Sequence, residues 1–309
     1  MSSINQLNLF GYEKLFKNLV QQNDNNNLPN KIIISGLRGI GKTTFSYHLI
    51  NYLFSQNEEF KYDLENYRIN QHNRSLKLVR KLVHPNFYQI DLEYGKKMIE
   101  IEKIRKSFNF SNRSSFNDQK RIILINNINH LSKSSANALL KIIEEPNYNL
   151  FFILIHDSTT KILDTIRSRC ITFKQSFSKL ECEKIFENIT NENYSETFNV
   201  ELNDFFFTHG ELIFLYKLSQ DEGFNLKDAN INFFLKLFLK FKYNKFNPQQ
   251  LNFLVKFMQI YFFQKIKYQY KPDIYDKFSY FLKKLNDTKN FNLDFDNLFL
   301  EFERKMLNE

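Results

Sequence analysis

The chain has 309 residues, 42% of them hydrophobic and 25% charged, which excludes a disordered or fibrous polymer and fits about two globular domains. Its net charge of +9 admits nucleic acid or an acidic partner. However, 35 Phe, no Trp and abundant Asn, Ile, Lys and Tyr point to biased coding, which makes a chain basic whatever it binds. Two cysteines, Cys170 and Cys182, exclude a disulfide framework or a four-cysteine zinc site; the longest apolar run, Leu150 to Ile155, is too short to span a bilayer, and Met1 to Phe10 lacks signal-peptide order, so a cytoplasmic protein with reduced thiols is expected.

In chain order, Leu9, Leu15, Leu19 and Val20 recur at helical spacing across residues 5–20, and the polar run Gln21 to Asn27 ends that helix. Lys31-Ile32-Ile33-Ile34-Ser35 reads as a strand. It enters Gly36-Leu37-Arg38-Gly39-Ile40-Gly41-Lys42-Thr43, a complete G-x-x-x-x-G-K-T pattern, and Phe45, Leu49 and Leu53 carry an amphipathic helix out of it. Strand, glycine loop and helix N-terminus together make an anion cradle, in which the glycines admit close backbone approach and Lys42 adds a point charge for β- and γ-phosphates. Thr43 would give a hydroxyl to Mg²⁺. The candidate nucleotide contacts are therefore Gly36, Gly39, Gly41, Lys42, Thr43 and the adjacent Thr44. Two blander readings stay open: a glycine turn that binds nothing, and a loop that keeps its shape without hydrolysing nucleotide.

From Gln56 to Arg80 no period stands out. His84-Pro85 introduces a turn and then a strand toward Asp91; Ile99, Ile101, Ile104 and Phe108 form a helical face, and residues 111–119 a polar turn. Arg121 to Ile125 is a β-branched run suited to a buried parallel strand. Ser134-Ser135 starts a helix that runs to Glu145 and is stopped by Pro146; Leu150 to Ile155 and Ile171 to Phe173 are further strands. This alternation predicts an α/β P-loop domain with a parallel sheet, helices on both faces and the ligand at the carboxyl ends of the strands. Beyond about Ser176 the β runs stop, and Phe233 to Phe241, Leu251 to Phe263 and Phe278 to Leu285 read as helices. The composition shifts near Phe177, with softer joints near Gln220 and at Asn247-Pro248.

A P-loop ATPase needs acid at the end of a second strand, to hold the Mg²⁺ shell and position the attacking water. The Arg121 strand ends instead in Asn126-Asn127, a degenerate acidic motif. An amide oxygen is a poorer Mg²⁺ ligand and takes no proton from water, so ATP binding with doubtful hydrolysis is expected. The alternative makes Tyr88 to Glu93 the acidic strand, with Asp91 serving Mg²⁺; loss of hydrolysis would then not follow.

Ala136-Asn137-Ala138-Leu139-Leu140-Lys141 with Glu144-Glu145-Pro146, and Thr165-Ile166-Arg167-Ser168-Arg169-Cys170 some twenty residues on, resemble the clamp-loader family of bacterial DNA polymerase III, most closely its delta-prime type. Leu28-Pro29 and His84-Pro85 fit the same family. The resemblance implies an AAA+ core (1–175), a small helical lid (176–219) and an all-α collar (220–309). It also implies partners: motor and clamp-opening subunits in a hetero-pentamer, with primer-template DNA inside the ring. In that family the Ser-Arg-Cys arginine, here Arg169, is a trans-acting finger for the neighbouring subunit's ATP, and Arg167 a structural neighbour. The alternative for Arg169 is a loop arginine paired with a local carboxylate. Lys133, Ser134 and Ser135 at a helix start are candidate DNA-phosphate contacts, or a plain helix cap. His156 and Asp157 fall where the family has a polar sensor. Ile213, in the helix beginning near Gly210, stands where a motor subunit has a sensing arginine, and the family's zinc cysteines are absent between Phe54 and His84, so neither zinc nor any other metal beyond Mg²⁺ with nucleotide is expected. The expectation is a non-motor subunit; an active AAA+ motor and a nucleotide-binding module outside replication are the rivals.

Overall fold

The computed structural model describes residues 3–93, 96–112, 119–144, 149–241, 248–268, 272–290 and 295–307. Residues 113–118 of the turn expected at 111–119, the helix stop at Glu145-Pro146 and the joint at Asn247 lie outside the described residues. Helix α1 (Glu13–Asp24) precedes strand β1 (Lys31–Gly36), and helices α2 (Lys42–Ser55) and α3 (Arg74–Arg80) lead to β2 (Phe87–Ile90). Next come α4 (Ile101–Ser111), β3 (Arg121–Ile125), α5 (Lys133–Glu144), β4 (Leu150–Asp157), α6 (Asp164–Arg167), β5 (Ile171–Lys174) and α7 (Lys179–Thr190).

The five strands form one sheet in the order β2-β3-β4-β1-β5, and every pairing is parallel. The isoleucine-rich runs alternate between its faces. Ile32, Ile34, Ile122, Leu124, Ile153 and Ile155 pack under α1, α2, α3 and α7. Ile33, Ile123, Ile125, Phe152 and Leu154 pack under α4, α5 and α6. The central strands β1, β3 and β4 are thus buried on both sides, which is why these segments read as unbroken apolar runs, while the edge strand β5 is half-exposed.

Two elements depart from expectation. Helix α1 begins at Glu13 because the chain before it is held extended: the Leu9 amide donates to Tyr67 O (3.0 Å) and the Ile69 amide to Leu7 O (2.8 Å). The unperiodic 56–80 segment is tied together by polar side chains: Glu58, which accepts from the Arg74 (2.9 Å) and Ser75 (3.0 Å) amides, and one buried amide. Asn73 caps α3 by accepting from the Leu76 amide (2.7 Å), accepts from Asn51 Nδ2 (2.8 Å) and donates to Phe60 O (2.8 Å).

By compactness the chain divides into one unit of Met1–Asn191 with Phe207–Ile213 and another of Glu192–Phe206 with Phe214–Glu309. The second unit carries α8 (Tyr194–Thr197), most of α9 (His209–Glu222), α10 (Ile231–Phe241), α11 (Pro248–Tyr268), α12 (Pro272–Asn290) and α13 (Phe295–Phe302). Its core is built of aromatic rings, with Phe234, Phe238, Phe257, Phe281 and Phe299 buried and Phe234 stacked on Phe257 at 4.6 Å between centroids. Phe enrichment is used here as packing material. Among the described residues no helix is long and apolar enough to cross a membrane.

Candidate functional site

The glycine loop leaves the carboxyl end of β1 and turns into α2. Gly39 and Gly41 have φ of +84° and +80°, the left-handed region that glycine enters without strain, and Gly41 is the residue preceding the first turn of α2. The loop is held from below by the Tyr12 hydroxyl, which donates to Ile40 O (2.8 Å). Lys42 is buried and its Nζ donates to Gly36 O (2.7 Å) and Leu37 O (2.6 Å). Burial pushes its ammonium down to about 8, against the pull of Asp157. Thr43 and Thr44, in the first turn of α2, are half-buried.

The two asparagines diverge. Asn127 takes a left-handed backbone (φ +57°) and starts a short 3-10 turn. Asn126 is 5% exposed and turns its side chain to the loop, with the Thr43 hydroxyl 3.5 Å from its Oδ1. Its Nδ2 donates to Asp91 Oδ2 at 2.9 Å. Asp91, the acid of the alternative strand assignment, therefore lies beside the asparagine that took the acid's place. Parallel pairing brings this about, since Ile90 is registered with Ile125. At the end of β4, the buried His156 bonds through Nδ1 to Ser35 Oγ (2.8 Å), and burial lowers its basicity.

A contact not foreseen from sequence closes the loop's outer side. The Gly210 amide donates to Gly39 O (2.9 Å), and Thr208 and His209 sit over Gly39 and Gly41. Ile213, half-buried, follows in α9.

At the start of α5, Ser135 is fully buried, its hydroxyl donating to Ile99 O (2.7 Å), while its amide donates to Ser132 Oγ (3.1 Å). Ser132 thus takes the capping role, and Lys133 and Ser134 are exposed. Ser134, Arg105 and Lys141 help line a groove of about 470 Å³ between α4 and α5.

Arg169 follows α6 and precedes the amino end of β5. Its Nη2 pairs with Glu144 Oε1 (2.8 Å) and its Nη1 donates to Thr165 O (2.9 Å). Ile171 is registered with Ile32, so Arg169 starts at the end of the sheet opposite the glycine loop. From Ile32 to Gly36 the sheet runs four residues, roughly 13 Å at about 3.3 Å per residue, which exceeds the reach of an arginine side chain. Arg167, nearby, is exposed.

The sequence model of the family described as DNA polymerase III, delta subunit, matches residues 11–179, more than half of the chain. Among curated relatives, DNA polymerase III subunit delta' of Buchnera aphidicola subsp. Baizongia pistaciae is 29% identical over 171 residues, covering 53% of this chain and 49% of that protein. Subunit delta' of Escherichia coli K12 is 27% identical over 139 residues (45% and 40%). DNA polymerase III subunit gamma of Buchnera aphidicola subsp. Schizaphis graminum is 33% identical over 143 residues (46% and 37%). The chain thus spans half or less of the length of these relatives. Among solved structures, the Holliday junction branch migration motor RuvB of Thermotoga maritima aligns with a TM-score of 0.38 at 15% identity, over 62% of this chain and 55% of that one.

Proposed function

Because the chain belongs to the DNA polymerase III delta-subunit family, we propose that it is a non-motor, delta-prime-like subunit of a replicative clamp loader, which braces a five-membered ring and lends Arg169 to the ATP site of a neighbouring motor subunit. The observation that carries this reading is the placement of Arg169. Among the described residues its guanidinium is held by surface partners, and it lies at the end of the sheet remote from its own glycine loop. A guanidinium aimed at developing γ-phosphate charge across a dry interface is worth about 10³–10⁵ in rate. In the ring, residues 176–219 would act as lid and 220–309 as collar. Primer-template DNA would meet Lys133 and Ser134, with Ser135 supporting them from within.

The chain's own loop holds nucleotide in this reading. Lys42, the loop amides and the N-terminus of α2 suit an anionic polyphosphate, and Thr43 and Asn126 offer oxygen atoms where Mg²⁺ would accompany it. Hydrolysis is weak because neither Asn126 nor Asn127 can take a proton from water. A reconstituted loader carrying Arg169→Ala should assemble yet lose most of its DNA- and clamp-stimulated ATPase; unchanged turnover would sink the finger assignment.

The contact between Asp91 and Asn126 favours one second reading, an active motor with its acid displaced to the residue that follows β2. ATP turnover by the lone chain that vanishes in Lys42→Ala would select it.

A further inference from the structure

We propose that Asp91 stands in, from the neighbouring strand, for the charge missing at the end of β3: it fixes the Asn126 amide so that Asn126 Oδ1 and Thr43 Oγ1 together form the protein side of a Mg²⁺–nucleotide site. The inference rests on the reading of Gly36–Thr43 as a nucleotide loop.

The geometry of three elements carries it. The Asn126 amide N–H donates to Ile90 O (2.9 Å), which locks the ends of β2 and β3 side by side. Asp91 is bound on both oxygens, Oδ1 by the Leu92 amide (2.8 Å) and Oδ2 by Asn126 Nδ2 (2.9 Å). A carboxylate accepts and does not donate, so the nitrogen of the Asn126 amide must face Asp91, and its oxygen is thereby turned to Thr43. Gln89 ties the arrangement to α2, since it accepts from the Tyr47 hydroxyl (2.8 Å) while its Nε2 lies 3.5 Å from Asp91 Oδ2. The helix that carries Lys42 and Thr43 is thus bonded to the strand that carries the acid.

Chemistry makes the arrangement more than a hydrogen-bond chain. An amide whose N–H is held by an anion carries more negative charge on its oxygen, so Asn126 becomes a better hard-cation ligand than an unsupported asparagine. Asn126 Oδ1 and Thr43 Oγ1 lie 3.5 Å apart, close to the roughly 3 Å edge of an octahedron with metal–oxygen bonds of about 2.0–2.1 Å. Among the described residues no group of three His, Cys, Asp or Glu gathers to hold a metal by itself. Two protein oxygens suffice for Mg²⁺, which is bound through few protein oxygens together with substrate phosphates. Asp91 is a positioning residue in this scheme, acting through Asn126.

The test titrates the full chain with a fluorescent ATP analogue, once with excess MgCl₂ and once with EDTA. The wild type should bind more tightly with Mg²⁺. Asp91→Asn, which keeps the shape and removes the charge, should cut the Mg²⁺-dependent gain by about 10-fold or more, the usual loss for a supporting shell, and leave affinity in EDTA unchanged. The exchanged pair Asp91→Asn with Asn126→Asp moves the charge one strand over and should restore the gain. A loss in Asp91→Asn that is equal in MgCl₂ and EDTA, or no loss in either, overturns the proposal. Wild-type affinity indifferent to Mg²⁺ overturns it too while sparing the nucleotide reading, whereas no binding in either buffer overturns both. None of these outcomes bears on Arg169, whose role is read from the assembled loader.

Discussion

Arg169 Nη2 and Glu144 Oε1 are 2.8 Å apart, joining the end of α5 to the turn before β5 through side chains that are 37% and 48% exposed. In that much water an ion pair contributes between nothing and about 1 kcal/mol. Arg169→Ala and Glu144→Gln should therefore each shift the urea unfolding free energy by less than about 1 kcal/mol. Glu144→Gln should also leave the ATPase of an assembled loader at or above the wild-type level, because it removes only the partner that parks the guanidinium. A shift of several kcal/mol in either variant would make Arg169 a structural residue and deprive the finger of its clean test.

Gly210 meets the loop at a distance no side chain tolerates. A Cβ there would stand 2.4 Å from Gly39 O and 2.9 Å from Gly39 Cα, both backbone atoms. Two effects oppose each other in Gly210→Ala. Helix propensity favours alanine by about 1 kcal/mol, while forcing backbone apart in a packed site costs about 1–3 kcal/mol. The clash is with backbone that cannot swing aside, so it should win. The variant should be less stable in urea and bind the ATP analogue more weakly; a stabilised variant with intact binding would show that the 207–213 segment does not brace the loop.

What could be read from the sequence was whatever depends on near neighbours. The strands were legible because residues such as Ile32 to Ile34 and Ile122 to Ile125 are buried on both faces of a parallel sheet, and the loop because its glycines and lysine are contiguous. Contacts that depend on register were not. Asp91 and Asn126 are 35 residues apart in sequence and meet only because Ile90 is registered with Ile125. Gly210 reaches Gly39 across a still longer separation. The 56–80 segment gave no period because long-range polar contacts, through Asn73 to Asn51 and Phe60 and through Glu58 to Arg74 and Ser75, organise it, and its buried Tyr62, Ile69, Leu76 and Val79 follow no single repeat. At α5 the local signal was off by two residues, since Ser132 and not Ser134 supplies the oxygen that caps the Ser135 amide.

Acid should destabilise the first unit through its buried histidines. His48, His84 and His209 are each held down to about 4, chiefly by burial. For His48 the hydrogen bonds fix the neutral form: Gln6 O can only accept, so Nε2 donates to it (3.1 Å), and Nδ1 accepts from the Tyr62 hydroxyl (2.8 Å). Lowered folded-state values mean that the unfolded chain takes up more protons as pH falls below about 6.5. Stability is fully present above that value and is lost progressively toward pH 4, by on the order of 1 kcal/mol per histidine at about pH 5.5. Urea midpoints measured across this window should fall with pH. His48→Gln should flatten part of the slope, and a midpoint independent of pH would show that these rings are not sealed from solvent.

Lys42 gives the opposite end of the pH scale a distinct signature. In the free chain its ammonium is lowered to about 8 by burial, with two loop carbonyls as its hydrogen-bond partners. A polyphosphate beside it favours the charged form and raises that value, so nucleotide binding must take up a proton whenever the free lysine is neutral. Affinity should be level below about pH 8 and fall above it, by at most tenfold per pH unit, until the bound form also titrates. Titrations with the ATP analogue at about pH 7 and about pH 9, in buffers of different ionisation enthalpy, would register both the weakening and the proton uptake. Lys42→Arg supplies the control, because a guanidinium stays charged throughout this range. Whatever affinity that variant keeps should not depend on pH in this window, and a wild-type profile equally flat would place the Lys42 ammonium away from the bound phosphates.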